Sequence, residues 1–392
     1  MQTAAEKIAG AFHSLGVDYV LDVALARQIS LIEAAREFTS ARTLNAEKRT
    51  LLSSTCPGFV CYAEKSQGSI LVPMLSRVKS PQQIMGLLVK KRFHLLCGDS
   101  KGRKNPSSIY HITLMPCYDK KLEASRLDNR LEGDAEGVPE VDCVITPIEV
   151  EKLLEMCSLK LPDVPERRLD LLYKNFYPTV EGDEVHGLRS HDGSGAGGYA
   201  ENLFRFVATQ MYGEQVAKSG PEALKKLSWK TLRNTDYLEL KLFENGSTDA
   251  SDSSEKVLLS FAILNGFRNV QNLVSRVKRK TCNYDYVEVS ACPKGCLNGG
   301  AQLRDVPVDP AVNSPGTVDP AIVAYEQVQQ LYEQLPTDPF FGLDIPHLQL
   351  EQLHLANRQL YEALELDETM IEQMKTQFAV IEKTFNILNS NW

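Results

Sequence analysis

The chain has 392 residues with a formal net charge of −8, and 43% of its residues are hydrophobic and 24% charged. These values are typical of a globular protein with two or three domains, and the negative charge argues against nucleic acid as the main partner. No apolar run approaches the roughly 20 residues that cross a bilayer, and the first residues carry no signal-peptide pattern, so we expect no membrane partner. The nine cysteines are odd in number and thinly spread, which predicts reduced thiols rather than a disulfide framework.

Apolar runs with helical and strand spacing alternate along the chain, which predicts an α/β protein. Helices are predicted over residues 3–16, 30–38, 80–93, the second part of 141–156, 199–212 and 266–280. Strands are predicted over residues 17–25, 109–117, the first part of 141–156, 229–243, 256–263 and the run that leads into Cys292. Ser30 and Ser80 stand where the caps of two of these helices are expected.

The composition changes beyond the last cysteine. Residues 305–320 are rich in Pro, Val and Asp, as a linker would be, and helical patterns follow them. We therefore predict a main region over residues 1–304, a linker over 305–320, and a helical extension over 321–392 that ends in Trp392.

Cysteines stand at the ends of apolar runs. Three such corners occur: Ser54-Thr55-Cys56-Pro57, Met115-Pro116-Cys117 and Ala291-Cys292-Pro293, the last followed by Cys296. Ligands gather beyond the carboxyl ends of strands in an open α/β sheet, so the three corners can meet in one crevice with four thiolates. Four thiolates select an iron–sulfur cluster or zinc. Because the corners are too far apart in sequence for a zinc finger, we expect a site assembled from distant segments.

The last corner is expected to begin a helix. Pro293 suits the first helical position, which would make Cys292 the cap and put Cys296 in the first turn. Backbone N–H groups at a helix start would then lower the pKa of both thiols.

Four segments resemble signatures of the iron-only hydrogenase superfamily: STCPGFVCYAEK (54–65), SPQQIMGLLVKK (80–91), MPCYDKKLEASR (115–126) and VEVSACPKGCLNGG (287–300). They look closer to its non-hydrogenase branch, which holds cytosolic iron–sulfur protein assembly factors and the nuclear prelamin A recognition factor. The resemblance covers about residues 1–302. It implies two α/β lobes, with parallel sheets flanked by helices and a cleft between them. It also implies that four cysteines bind one 4Fe–4S cluster in that cleft: Cys56, Cys117, Cys292 and Cys296.

Two positions depart from the hydrogenase pattern. Thr55 stands where hydrogenases carry a cysteine that relays protons to their di-iron unit, and Ser290 stands where they usually carry methionine. Lys120 matches the lysine that holds a cyanide of that unit. The resemblance therefore implies a non-enzymatic assembly factor that helps deliver clusters to cytosolic and nuclear apoproteins. A nuclear lamin-type interaction protein with a structural cluster and a residual hydrogenase remain as alternatives.

The resemblance also bears on the termini and the partners. The sequence begins inside the hydrogenase-like region, without the family's N-terminal ferredoxin-like segment and its second cluster, so we expect one cluster here. It implies a cytoplasmic protein, with the nucleus as a further compartment. Trp392 is expected either to dock into the cytosolic iron–sulfur targeting complex or to pack on the protein itself.

Other features have plainer interpretations. Five further cysteines are expected to be buried structural thiols: Cys61, Cys97, Cys143, Cys157 and Cys282. The glycine-rich run 190–199 predicts a tight loop near the cleft, with phosphate binding as the alternative. His191 is expected to be an ordinary loop residue, with a hydrogen bond beside the cluster as the alternative. The basic run Arg276–Lys280 predicts a solvated helix end, with nucleic-acid binding as the alternative.

Overall fold

The computed structural model describes residues 2–44, 50–98, 104–131, 137–170, 188, 190–191, 193, 195–218, 224, 227–249, 255–304, 320–335 and 350–381. The predicted linker, apart from Pro320, and the terminal Trp392 lie outside the described residues. Among the described helices, none combines the length and apolarity that a bilayer crossing needs.

Two sheets form the frame of the described part of the chain. Their strands are β1 (Leu51–Ser53), β2 (Ile112–Leu114), β3 (Cys143–Ile145), β4 (Lys230–Thr231), β5 (Tyr237–Phe243), β6 (Val257–Asn265) and β7 (Tyr286–Ser290). The larger sheet has the order β1-β7-β6-β5-β4, in which β1, β7 and β6 run parallel and β5 and β4 add an antiparallel edge. The smaller sheet pairs β2 with β3 in parallel. The predicted parallel sheets are therefore present, and one of them is extended by antiparallel strands.

The helices come before, between and after these strands. They are α1 (Gln2–Ser14), α2 (Ala24–Leu44), α3 (Pro57–Ser66), α4 (Gly68–Leu71), α5 (Pro81–Cys97), α6 (Asp119–Ala124), α7 (Pro147–Met156), α8 (Tyr199–Lys218), α9 (Phe267–Lys278), α10 (Pro320–Glu333), α11 (Leu350–Ala363) and α12 (Glu368–Gln373). The predicted helix over 80–93 is confirmed as α5, with Pro81 in its first turn.

Helices cover both faces of the larger sheet. Successive residues of a strand point to opposite faces, so Phe261 and Ile263 of β6 pack with α2 and α8. Ala262 and Leu264 of the same strand pack with α3 and α9 on the other face. The strands are therefore buried on both sides, as expected for an apolar run in an α/β sheet.

The C-terminal helices complete another part of the core. α11 and α12 pack against α2 and α5 through these residues: Leu360, Tyr361, Leu364, Met370 and Met374. The chain then runs back over the main region in a segment, Met374–Ile381, that we call the C-terminal strap. The N–H of Lys79 donates to the carbonyl of Met374 (2.8 Å), and the N–H of Thr376 donates to that of Arg77 (2.7 Å). The predicted division of the chain into a main region and an extension stays a prediction.

The predicted strand over 17–25 is wrong. Residues 17–23 form no strand, and α2 begins at Ala24. The Asp22 carboxylate accepts a hydrogen bond from the Ala24 N–H over 3.0 Å, at the start of the helix. Ser30, expected as a cap, lies buried inside α2, and its hydroxyl donates to the carbonyl of Lys79 over 3.0 Å.

Candidate metal centre

Two of the cysteine corners lie side by side because the strands before them, β1 and β7, are parallel neighbours. Cys56 stands at the cap of α3 with Pro57 in the first turn, as the sequence predicts. The N–H of Ala291, next to Cys292, donates to the Cys56 Sγ over 3.4 Å. The larger sheet therefore supplies these corners at one edge of the cleft.

The third corner comes from the smaller sheet. Cys117 lies in the turn between β2 and α6. α6 approaches α3 so closely that a Cβ on Gly58 would lie 2.6 Å from Asp119 Oδ2. The glycine beside Cys56 thus makes room for the carboxylate two residues after Cys117, and it brings the two sheets' corners together.

A second close approach involves the segment after Cys296. A Cβ on Gly299 would lie only 2.3 Å from the carbonyl oxygen of Pro116. The same oxygen accepts a hydrogen bond from the N–H of Ala301 over 3.1 Å. The Cys117 corner and the Cys296 turn are therefore joined backbone to backbone, at a distance that only glycine permits.

The glycine-rich run borders the same corners. A Cβ on Gly195 would lie 2.9 Å from Leu297 Cγ, next to Cys296. The hydroxyl of Thr55 donates to the carbonyl of Ala196 over 3.4 Å. The described part of the run therefore lies against the Cys56 and Cys296 turns, and its place near a cleft stays a prediction.

The helix predicted to start at Pro293 is wrong. Cys292 lies in a turn, and Cys296 begins a 3₁₀ helix that ends at Asn298. Lys294 has a positive φ of 63°, which no α-helix accommodates. Its N–H donates to the Asp236 carboxylate over 2.7 Å instead of being left for a helix start.

The pKa values of three thiols also differ from those expected at a helix start. Burial raises the pKa of Cys296 well above its usual value, and the charge of Cys56 adds to this. Burial raises the pKa of Cys292 to about 11, again with a contribution from Cys56 and also from Cys117. For Cys117 burial raises the pKa, while a backbone hydrogen bond from Lys120 and the charge of that residue oppose the rise. The predicted lowering is therefore wrong, because the local N–H groups do not outweigh the loss of water. Neighbouring thiols contribute to these shifts, in keeping with the backbone contacts between the corners that carry them.

The residues around the thiols are held by their own hydrogen bonds. Ser290 is buried, and its hydroxyl donates to Asn265 Oδ1 over 2.5 Å. Lys120 is also buried, and its Nζ donates to Glu123 Oε2 over 2.8 Å. An ion pair in the same helix therefore occupies the lysine head group.

The sequence analysis missed several residues that support the site. Asp236 holds Lys294, Asn265 holds Ser290, and Gly58 allows the close approach of α6. Gly58 follows a cysteine corner in sequence, so its position was a usable signal. Asp236 and Asn265 had none, since they reach the site from the β4–β5 loop and from the end of β6.

The remaining cysteines and His191 lie elsewhere. Cys157 is exposed, so its prediction as a buried structural thiol is wrong; it follows α7, where the chain turns at the surface. Four others are half-buried rather than fully buried: Cys61, Cys97, Cys143 and Cys282. His191 packs edge-on against Tyr332 of α10, with 5.6 Å between the ring centroids. That contact fits its interpretation as a loop residue.

The donor set fits an iron–sulfur cluster by its chemistry. In the described residues no three His, Cys, Asp or Glu side chains are placed to hold one metal ion. Ligands of a single zinc lie about 2.3 Å from the metal, so their sulfurs must crowd together. Each thiolate of a four-iron cluster bonds a different iron, so a wider spacing suits it. Four thiols on corners that contact one another are the donors that such a cluster requires.

Comparisons with known proteins agree with this geometry. A family model described as "Iron only hydrogenase large subunit, C-terminal domain" matches residues 1–300. A probable cytosolic Fe-S cluster assembly factor of Culex quinquefasciatus is 43% identical over 300 residues, covering 76% of this chain and 56% of that protein. Another from Drosophila erecta is 42% identical, over 86% of this chain and 63% of that protein. A cytosolic Fe-S cluster assembly factor of Danio rerio is 38% identical, over 99% of this chain and 83% of that protein.

The chain thus spans 56% and 63% of the length of the first two relatives. Among solved structures, an apo FeFe-hydrogenase HydA1 variant from Chlamydomonas reinhardtii superposes with a TM-score of 0.65 and 22% identity, over 96% of this chain and 87% of that one. That likeness concerns the fold alone, and it confirms the predicted α/β hydrogenase-like architecture.

Proposed function

This chain belongs to the family defined by the C-terminal domain of the large subunit of iron-only hydrogenases, and from that premise we propose that it acts in cytosolic iron–sulfur protein assembly. The names of the Culex and Danio relatives support this role. The single observation that supports the proposal is the contact between cysteine corners: the Ala291 N–H donates to Cys56 Sγ, and the Ala301 N–H donates to the Pro116 carbonyl beside Cys117. We also propose a cytoplasmic location, which rests on the names of the same relatives.

The cofactor we propose is one 4Fe–4S cluster, held by Cys56, Cys117, Cys292 and Cys296. When bound, such a cluster can carry an electron, be passed on, or hold parts of a protein together. Three of the thiols follow strands of the larger sheet and Cys117 follows the smaller one, so the four ligands would tie the two sheets to each other. Iron ions would also draw the protons from thiols whose pKa burial has raised, because only thiolates are ligands.

We propose further that the chain is not an enzyme and helps deliver clusters to cytosolic and nuclear apoproteins. Thr55 has a hydroxyl that does not titrate near neutral pH, and it is engaged by the Ala196 carbonyl. Lys120 is engaged by Glu123. These contacts favour a site that retains cluster ligands without a proton relay. The proposed partners are proteins of the cytosolic iron–sulfur targeting complex, with Trp392 as one contact.

Anaerobic reconstitution of the full chain with iron and sulfide tests the proposal. We expect a brown protein with about four irons per chain, loss of at least half of that iron in Cys296→Ser, and no loss in Cys157→Ser, whose thiol is exposed and remote. A colourless wild-type protein that retains zinc would overturn the cluster assignment. Hydrogen evolution from a reduced dye would overturn the non-enzymatic one.

A further inference from the structure

A concave pocket of about 340 Å³ lies between α9 and the loop that joins β4 to β5. It is lined by Leu232, Arg233, Tyr237, Asn272, Arg276, Arg279 and Thr281. Its size is in the range of sites that take a small ligand or an inserted side chain. None of the cysteines contributes to its wall, so it is separate from the candidate metal centre.

The pocket is strongly positive although the whole chain carries a net charge of −8. Its three arginines make no ion pair with a carboxylate of the described residues. Two nearby acidic residues are engaged elsewhere: Asp236 of the β4–β5 loop accepts from the Lys294 N–H (2.7 Å), and Glu239 of β5 pairs with Lys241 (2.7 Å). Within the described part of the chain, three guanidinium groups therefore face the pocket with no paired carboxylate to balance them.

The base of the pocket is fixed in place. Arg276 Nη1 donates to the hydroxyls of Tyr237 (2.7 Å) and Tyr284 (2.8 Å), and its guanidinium lies 4.8 Å from the Tyr284 ring centroid. Both tyrosines are buried. Arg233 in the wall is oriented by Asn272, whose Oδ1 accepts its Nη1–H over 3.1 Å. Pre-oriented guanidinium groups lose little entropy when they bind an anion.

The positive surface is longer than the pocket itself. One face of α9 and its C-terminal cap carries four polar residues at spacings of four, four and three: Arg268, Asn272, Arg276 and Arg279. That stripe is ~16 Å long at 1.5 Å per residue. A single phosphate group would cover only part of it, whereas an extended peptide with several carboxylates matches its length. Arg and Tyr are also the residues enriched at the centres of protein interfaces.

We propose that this pocket and the α9 stripe bind an acidic segment of a partner protein, with one Asp or Glu carboxylate in the pocket and others along the helix. The β4–β5 loop that forms one wall also touches the Cys292–Cys296 turn, through the Asp236–Lys294 hydrogen bond. A partner bound here lies beside the candidate metal centre.

Fluorescence anisotropy on the full chain tests this docking site. The probe is a fluorescein-labelled 12-residue peptide of alternating Asp, Glu and Ser, and the control probe has Asn and Gln in place of the acids. The test variant is the double substitution Arg233→Gln with Arg279→Gln, which leaves the Arg276–tyrosine base intact. The matched control is Lys278→Gln, which removes a positive charge from the same helix outside the pocket.

We expect the acidic peptide to bind wild type, the neutral peptide not to bind, and binding to weaken as salt rises. The Kd should increase about tenfold or more in the double variant and less than threefold in Lys278→Gln. Equal effects of the two variants would show general attraction to positive charge and overturn the site. Tight binding of inorganic pyrophosphate without binding of the acidic peptide would overturn the peptide assignment in favour of a phosphate site. Circular dichroism of each variant distinguishes a folding defect from a binding defect.

Discussion

Gly299→Ala is expected to destabilise the chain because its Cβ would enter the backbone of the Cys117 corner. The new atom would lie 2.3 Å from the carbonyl oxygen of Pro116, whereas real Cβ contacts below 3.0 Å are essentially absent, so the two segments must separate by at least about 0.7 Å. The obstacle is a backbone oxygen already bound by the N–H of Ala301, and it has no free rotation with which to yield. Overpacking of this kind costs about 1–3 kcal/mol.

Urea denaturation of the cluster-free chain measures this cost, and iron content after reconstitution measures its effect on the site. Gly300→Ala is the matched control, since a Cβ there meets nothing within 4 Å and its φ is outside the left-handed region. We expect Gly300→Ala to stay within about 0.5 kcal/mol of wild type. Gly299→Ala should also bind less iron, because the shift separates Cys117 from Cys296. Equal stability and equal iron content in the two variants would refute the close-approach argument.

Two further predictions concern residues outside the centre. Burial raises the pKa of Glu140 to about 7 even though Lys79 lies 2.6 Å away, so the folded chain keeps a proton that the unfolded chain releases near pH 4.5. This contribution to the free energy of unfolding is fully present below pH 4.5 and is lost as the pH rises through 7. The urea midpoint of wild type should therefore fall more steeply from pH 5 to 8 than that of Glu140→Gln, and parallel slopes would contradict this. Cys157 is exposed whereas the other eight cysteines are half-buried or buried, so maleimide should label Cys157 first under native conditions. A fast phase that persists in Cys157→Ser would count against the structure.

The sequence was sufficient to predict the cysteine corners. Pro57 directly after Cys56 marks a helix start, and the apolar run before it marks a strand, so both signals lie within a few residues of the ligand. Parallel strands bring their carboxyl ends to one edge, and that rule placed Cys56 beside Cys292. The same rule predicted that the Cys117 corner joins them, but Cys117 follows a strand of the smaller sheet rather than a third strand of the same one. The family resemblance then identified the four cysteines as ligands of one cluster.

The conformation after Cys292 could not be predicted in the same way. Pro293 has the local signal of a helix start, but the Lys294 N–H bonds to Asp236, which lies 58 residues earlier in the chain. The thiol pKa values failed for a related reason: burial, which depends on the whole fold, outweighs the local N–H groups. The strand predicted over 17–25 was replaced by a loop and a helix that begins at Ala24, whose N–H donates to the Asp22 carboxylate.

The packing of α11 and α12 against α2 and α5 has a consequence for synthesis on the ribosome. Leu360 and Met374 fill a core whose other walls come from the first hundred residues. Domains usually fold as they emerge from the ribosome, which adds about 5–20 residues per second, but here one side of α2 and α5 stays open until residues 360–374 have been made. For that interval its apolar surface is exposed, so a chaperone that shields it is most useful before residue 374 appears. A truncated chain that ends before residue 360 leaves this surface exposed and should aggregate.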